Sequence, residues 1–357
     1  MTECFLTGPM ADPSLYGVVI GPVPARPAKL DGHRLAAFAG GAVAHPVPGG
    51  EGVAGLVMTL DDSGRDRLEH VMHSLGGQGR QMTVRVGETE RTLRLWCGAG
   101  TGAPDWHPRA ALTDVLRATL PDILALHGTD PAAIARRLVP MLVRAASRLR
   151  AGMDPAPHSL RRAPSIGDVA VQARRQPYAN FFAVEELDLS FRRFDGSMSP
   201  VVNRAAFISG DAVTLLPYDA QRDRVLVIEQ FRPGPHMRGD TNPWSLEAIA
   251  GRIDPGETPE AAGRREAMEE AGLTLGALLP VAGYYPSPGA VSEYLYSYVA
   301  LTDLPDGVAG VFGEASEAED IRGHLVGFDR MMELVASGEI AALGIAAVAF
   351  GRGADRP

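Results

Sequence analysis

Four carboxylates and one arginine, gathered within fourteen residues, have the spacing of a cation site. The segment Gly251-Arg-Ile-Asp-Pro-Gly-Glu-Thr-Pro-Glu-Ala-Ala-Gly-Arg-Arg-Glu-Ala-Met-Glu-Glu-Ala-Gly-Leu carries Glu257, Arg265, Glu266, Glu269 and Glu270. On a helix Glu266 and Glu270 are neighbours four apart, with Glu269 between them. Like charges at that spacing destabilise a helix by roughly 0.2–0.5 kcal/mol per pair. A bound divalent cation removes the conflict. Ligands that are all oxygen suit Mg²⁺ or Mn²⁺ and not zinc. Such an ion can clamp a diphosphate, neutralise its charge and activate water.

The surrounding residues supply the helix that this chemistry needs. Thr258 is an N-cap, Pro259 fits the first turn, Glu260 suits the positive end, and Gly272 fits the stop. The expected helix is Pro259–Ala271. Val213–Tyr218 and Val225–Phe231 read as strands joined by the turn at Asp219–Asp223. Trp244–Ala250, Val281–Tyr285 and Tyr294–Ala300 read as further strands, and Asp329–Ser337 as a late helix. Strands packed around helices indicate an α+β or mixed-sheet sandwich.

Bulk properties narrow the function. The chain has 357 residues, 45% hydrophobic and 22% charged, with a formal charge of −9. That length favours two domains. The negative balance argues against nucleic acid or an acidic membrane surface as partner. There is no apolar run of about 18 residues to span a bilayer and no secretory leader. Cys4 and Cys97 are the only cysteines, too few for a disulfide framework or a structural zinc. A cytoplasmic enzyme is the expectation.

Three regions follow. Residues 1–105 alternate short apolar runs with Gly/Pro turns. Phe5–Gly8, Gly17–Ile20, Gly55–Leu60, Arg80–Val86 and Glu90–Trp96 read as strands, and Ser63–Leu75 as a helix. Residues 106–177 form a helical spacer and linker, with helices near Leu112–His127 and Pro131–Ala151 and a Pro/Gly/Arg-rich stretch from Gly152 to Pro177. Residues 178–350 hold the acidic helix.

The segment from Gly251 matches the Nudix box: Gly251, Glu257, Arg265, Glu266, Ala267, Glu269, Glu270, Gly272 and Leu273 fall at its fixed positions. Around it, Phe194-Asp-Gly-Ser-Met-Ser, Ile228-Glu-Gln-Phe-Arg, Pro243-Trp-Ser-Leu-Glu, Ser287-Pro-Gly and Glu319-Asp-Ile stand where the ADP-ribose pyrophosphatase branch would have them. The chain resembles that branch over residues 178–340. The resemblance implies an α/β/α sandwich, usually a homodimer, with a nucleotide-sugar substrate and Mg²⁺ (or Mn²⁺) as cofactor. It implies Glu266, Glu270, Glu319 and the Ala250 carbonyl as metal ligands. Glu317 would be the general base, and Glu269 a second catalytic carboxylate. Arg204, reaching across from a partner subunit, would contact substrate with Arg232, Arg252, Ser287 and Glu293. Arg265 would support the loop by pairing with Glu257.

Two departures bear on the substrate. The family often has an arginine just before Arg204 and another near Ser209; here those places hold Asn203 and Ser209. Ile340-Ala-Ala-Leu-Gly also lacks a common Asp-Asn pair. ADP-ribose hydrolysis is therefore the leading expectation. A broader nucleotide-sugar diphosphatase and an ADP-ribose-like ligand sensor are the alternatives.

The N-terminal region resembles γ-glutamylcyclotransferase-like domains, a small α+β barrel, through Phe5-Leu-Thr-Gly-Pro-Met-Ala-Asp-Pro. Where that family has Tyr-Gly-Ser/Thr-Leu, this chain has Thr7-Gly8-Pro9-Met10. Where it has its acid/base Glu, this chain has Met72. Proline removes a backbone N–H and methionine cannot move a proton, so a non-catalytic relative is expected. His70 and His73 are expected as surface helix residues. The whole arrangement resembles bacterial two-domain proteins named for tellurite resistance, a phenotype that implies no tellurium chemistry.

Overall fold

A computed structural model describes residues 1–98, 103–155, 157–313 and 319–341. Two compact units divide the chain: Met1–Ala170 with Gln176–Ala183 and Ser190–Ser199, and Val171–Arg175 with Val184–Leu189 and Pro200–Pro357.

The first unit contains β1 (Thr2–Thr7), β2 (Ala25–Leu30), β3 (His33–Phe38), β4 (Val43–Pro48), β5 (Val53–Leu60), β6 (Gln78–Val86) and β7 (Thr89–Cys97). Five of them close a barrel in the order β1-β5-β2-β6-β7, and β7 returns parallel to β1 at Cys4↔Arg94. Closure leaves those strands without a free edge. Phe5, Leu30, Val57, Val84, Leu93 and Leu95 form one buried cluster of the barrel. The helices are α1 (Pro13–Ile20), α2 (Asp62–Ser74), α3 (Ala110–Ala125), α4 (Pro131–Ala135) and α5 (Leu138–Met153). Leu15, Leu68, Val71, Leu116, Leu120, Ile123 and Leu142 join them in a second apolar cluster.

Three local expectations are corrected here. Gly17–Ile20 is the end of α1, not a strand. Asp12 caps that helix by accepting from the Ser14 N–H, and Pro13 opens it. The stretch 152–177 is not all linker, because β8 (Val169–Ala179) begins within it. His70 is buried, 8% exposed, with its Nε2 3.1 Å from the Ile123 carbonyl.

β8, β9 (Ala183–Phe191) and β10 (Val202–Ile208) make a three-stranded sheet in the order β10-β9-β8. The second unit is built on a larger, eight-stranded sheet. Its strands are β11 (Ala212–Asp219), β12 (Arg224–Phe231), β13 (Trp244–Glu247), β14 (Ile249–Arg252), β15 (Leu278–Tyr284), β16 (Leu295–Leu301), β17 (Val311–Phe312) and β18 (Ile321–Gly327). The main order is β15-β16-β11-β12-β18-β17, with β13 on β12 and β14 on β11. Trp244–Ala250, expected as one strand, breaks at Ala248 because its two halves pair with different neighbours.

Side chains alternate across a strand, which gives this sheet two buried faces. Val213, Leu215, Leu226, Ile228 and Ile249 cluster with Ala262, Ala267 and Ala271 of α7 (Pro259–Ala271). Leu216, Tyr218, Val225 and Val227 cluster with Phe328, Met331 and Leu334 of α8 (Phe328–Ser337). Helix, sheet, helix is the α/β/α sandwich. A short helix α6 (Pro233–Arg238) follows β12.

Candidate active site

The site is built where α7 crosses β14. The helix has the bounds and caps that its sequence dictates. The Thr258 hydroxyl accepts from the Ala261 N–H at 3.2 Å, and Gly272 ends the helix in the left-handed region at φ 63°. Gly263 and Ala262 are buried on the helix face toward the sheet, and small residues let the helix lie close.

That closeness sets Glu266 directly over β14. A Cβ built on Gly251 would stand 1.9 Å from Oε1 of Glu266, so only glycine leaves room for the carboxylate. One turn later Glu270 is 2% exposed, and its Oε2 accepts from the Ala250 N–H at 3.1 Å. Burial pushes Glu266 up to about 7; the charges of Glu269 and Glu319 add to this, against Arg265. Burial pushes Glu270 up to about 8; Glu266 and Glu319 add to this, against the Ala250 N–H. Glu319 is thus within electrostatic reach of both.

Arg265 organises the rim. It forms a fork with Glu257, Nε to Oε1 and Nη2 to Oε2, each at 3.1 Å. Its Nη1 donates to Glu266 at 2.7 Å and to Glu269 at 2.9 Å, and its Nη2 to the Arg252 carbonyl at 2.9 Å. Burial opposes its charge, but these carboxylates outweigh burial and hold it protonated. One side chain therefore ties the box loop to the helix.

Arg232 lies within electrostatic reach of Glu270 and Glu319. It follows β12 in extended conformation, as a residue before proline must, and its N–H donates to the Pro243 carbonyl at 2.9 Å. Its guanidinium is clamped by Glu247 through Nε at 3.0 and 3.2 Å and Nη2 at 2.8 Å. Burial disfavours its charge, the Glu247 bonds more than restore it, and Glu270 and Glu319 contribute further. Sequence reasoning gave Glu247 no role. The pairing is a tertiary contact between two strands, and only the β12–β13 register could have revealed it.

Arg252 and Glu293 also lie within electrostatic reach of each other. Burial pushes Glu293 up, and the Arg252 charge opposes that. Ser287 is exposed and begins the turn whose Ala290 carbonyl accepts from Phe207 N–H of β10. Arg204 is exposed on β10 with its Nη1 on the Asn203 carbonyl at 2.8 Å; no described contact ties it to the acidic cluster. Glu317 lies outside the described residues.

Among the described residues no three His, Cys, Asp or Glu side chains converge as a ready-made cation cage. Glu266 is turned onto Arg265 and Glu270 onto a backbone N–H. The donor set nevertheless fits a hard cation. Two buried carboxylates repel one another beside a third, all donors are oxygen, and Gly251 makes a cradle that a Cβ would fill. Mg²⁺ is commonly held this way, by one or two carboxylates with water and substrate phosphate completing the shell.

Comparison with known proteins agrees with this geometry. Residues 209–337 match the NUDIX domain. The ADP-ribose pyrophosphatase of Escherichia coli (strain K12) is 40% identical over 173 residues, covering 48% of this chain and 82% of that protein. The ADP-ribose pyrophosphatase of Haemophilus influenzae is 32% identical over 175 residues, 48% of this chain and 80% of that protein. The GDP-mannose pyrophosphatase of Salmonella paratyphi B is 30% identical over 161 residues, 45% of this chain and 82% of that protein. The chain belongs to the NUDIX family.

Proposed function

We propose that the second unit hydrolyses the diphosphate of ADP-ribose to AMP and ribose 5-phosphate, with Mg²⁺ as the cofactor and Mn²⁺ as a substitute. The observation that carries this reading is the burial of Glu266 and Glu270 against β14, with Arg232 within electrostatic reach of Glu270. Two similar bacterial proteins bear the name ADP-ribose pyrophosphatase, which favours this substrate. Water adds its oxygen to one phosphorus, the P–O–P bond breaks, and two phosphate monoesters leave.

When bound, the cation supplies neutralisation of the diphosphate charge and a more acidic water. Glu266, Glu270, Glu319 and the Ala250 carbonyl would hold it. Arg265 fixes Glu266 and Glu269 in place. Arg232 offers its guanidinium to a diphosphate oxygen, a pairing suited to that fork. Glu317 takes the proton from water; this role rests on the family resemblance. Arg252, Ser287 and Glu293 hold the substrate's sugar end. The test is release of AMP from ADP-ribose by the purified chain with Mg²⁺, abolished in Glu270→Gln.

A broader nucleotide-sugar specificity is the second reading. Asn203 and Ser209 replace arginines expected near the distal sugar, and one relative is named for GDP-mannose. Product analysis over ADP-ribose, other ADP-sugars and GDP-mannose separates the two. We further read the chain as a homodimer in which Arg204 serves the partner's site, since Arg204 is exposed and uninvolved in its own. A monomer by light scattering at micromolar concentration contradicts that. Cys4 and Cys97 are both buried and unpaired, which favours a cytoplasmic setting. Among the described residues no helix is long and apolar enough to cross a membrane.

A further inference from the structure

Arg232 feels two sets of carboxylates. Glu247 takes both its Nε and its Nη2. Glu270 and Glu319 are close enough to bias its charge. The β12–β13 register fixes the first set. Ile228 lies opposite Glu247, and residues 228, 230 and 232 share one side of the chain. Arg232 therefore folds back along its own strand to meet Glu247. Pro233 restricts its backbone and Pro243 accepts from its N–H, so the side chain starts from a fixed point.

A long cation near the buried Glu270 and the half-buried Glu319 would pair with them if nothing held it. Those carboxylates are the ones that a metal needs. Glu247 engages two of the three guanidinium nitrogens and leaves Nη1 uncommitted to it. The clamp keeps the positive charge near the acidic pair without letting it close on them.

We propose that Glu247 is a positioning residue: it restrains Arg232 so that the guanidinium does not close on Glu270, which a divalent cation would use, and so that Nη1 stays open to a phosphate oxygen. The phosphate half rests on the proposed diphosphatase reading; the cation half rests on the Arg232–Glu247 bonds and on the electrostatic reach of Glu270 to that guanidinium. Glu247→Gln keeps shape and some hydrogen bonding but removes the charge that holds the guanidinium. Arg232 then swings to the acidic pair and competes with the metal.

The experiment uses the full chain and Mn²⁺ alone, with affinity measured by calorimetry in the absence of substrate. Glu247→Gln is expected to weaken Mn²⁺ binding about tenfold, the middle of the range for coupled charged neighbours. Adding Arg232→Gln removes the competing cation, so the double variant is expected to bind Mn²⁺ within about twofold of the Arg232→Gln single variant. A purely structural Glu247 would not be relieved by a second substitution, and thermal melts of all variants report any loss of fold. Unchanged Mn²⁺ affinity in Glu247→Gln, or weakening that persists in the double variant, overturns the proposal. With ADP-ribose, Glu247→Gln is expected to raise the Mg²⁺ concentration for half-maximal rate and the KM. A wild-type chain that binds Mn²⁺ but leaves ADP-ribose intact contradicts the substrate reading and leaves the Mn²⁺ comparison to decide the role of Glu247.

Discussion

Gly251 and Glu266 compete for one space: a Cβ on Gly251 would lie 1.9 Å from Oε1 and 2.0 Å from Cδ of Glu266. The atoms in conflict belong to the far end of a flexible side chain. Gly251→Ala should therefore cost little stability, because Glu266 can turn away. It should cost function, because Glu266 has then left the proposed metal position. The expectation is a melting temperature within a few degrees of wild type and a loss of hydrolysis of about 100-fold, as for a displaced metal-supporting group. Wild-type activity in Gly251→Ala contradicts the cradle.

Glu270 is a buried carboxylate with two acidic neighbours and a single backbone donor. Such a group is expected to destabilise the metal-free protein, and the proposed cation binding accounts for its presence. Glu270→Gln is expected to melt higher than wild type in chelator while losing hydrolysis by on the order of 10³. Mg²⁺ should raise the wild-type melting temperature and not that of the variant, since a cation stabilises only what it binds. Equal Mg²⁺ shifts in the two proteins would remove Glu270 from the site.

Asp219 provides a pH test of the fold that is independent of the site. Its carboxylate accepts from the Gln221, Arg222 and Leu304 N–H groups at 2.9, 3.2 and 3.1 Å, and is 2% exposed. Burial works against its charge, but the Leu304, Arg222 and Gln221 donors win and hold it down to about 2. The folded value is below the unfolded value of 3.8, so the stabilisation is present above that value and fades as pH falls toward 2. Asp219→Asn should lower the melting temperature by several degrees at pH 7. The difference should shrink between pH 4 and pH 2. A constant difference across that window would mean that ionisation contributes nothing.

The barrel of the first unit should release no 5-oxoproline from γ-glutamyl compounds. Pro9 and Met10 are buried, and Met72 is 4% exposed within an apolar cluster. His70 is bonded to a backbone carbonyl and His73 to Glu69, which also holds Arg94 and Trp96. None is placed as a free base. Chromatographic detection of 5-oxoproline in the presence of the full chain would refute this.

What the sequence disclosed follows the range of each interaction. α7 has its expected bounds because Thr258, Pro259 and Gly272 act within one turn of its ends. The Arg265–Glu257 pair was legible because both belong to one fixed-spacing segment. Glu247 was not, since its partner Arg232 is fifteen residues away and meets it only through sheet register. Gly17–Ile20 misled because two β-branched valine residues and an isoleucine suggest a strand, while the Asp12 cap and burial of Leu15, Tyr16 and Val19 impose a helix. His70 misled because a polar helix residue can be buried once a later element, here Ile123 of α3, supplies its partner. Ala248 separates two short strands because of which neighbours they find, not because of its own type.

The proposed diphosphatase depends on a cation held by Glu266 and Glu270. The most direct measurement incubates the purified chain with ADP-ribose and Mg²⁺ and quantifies AMP and ribose 5-phosphate together. Equal amounts of both are expected, none in chelator, and a collapse of turnover in Glu266→Gln and Glu270→Gln proteins that still melt cooperatively. Absence of both products from wild type, or their undiminished release by Glu270→Gln, would contradict it.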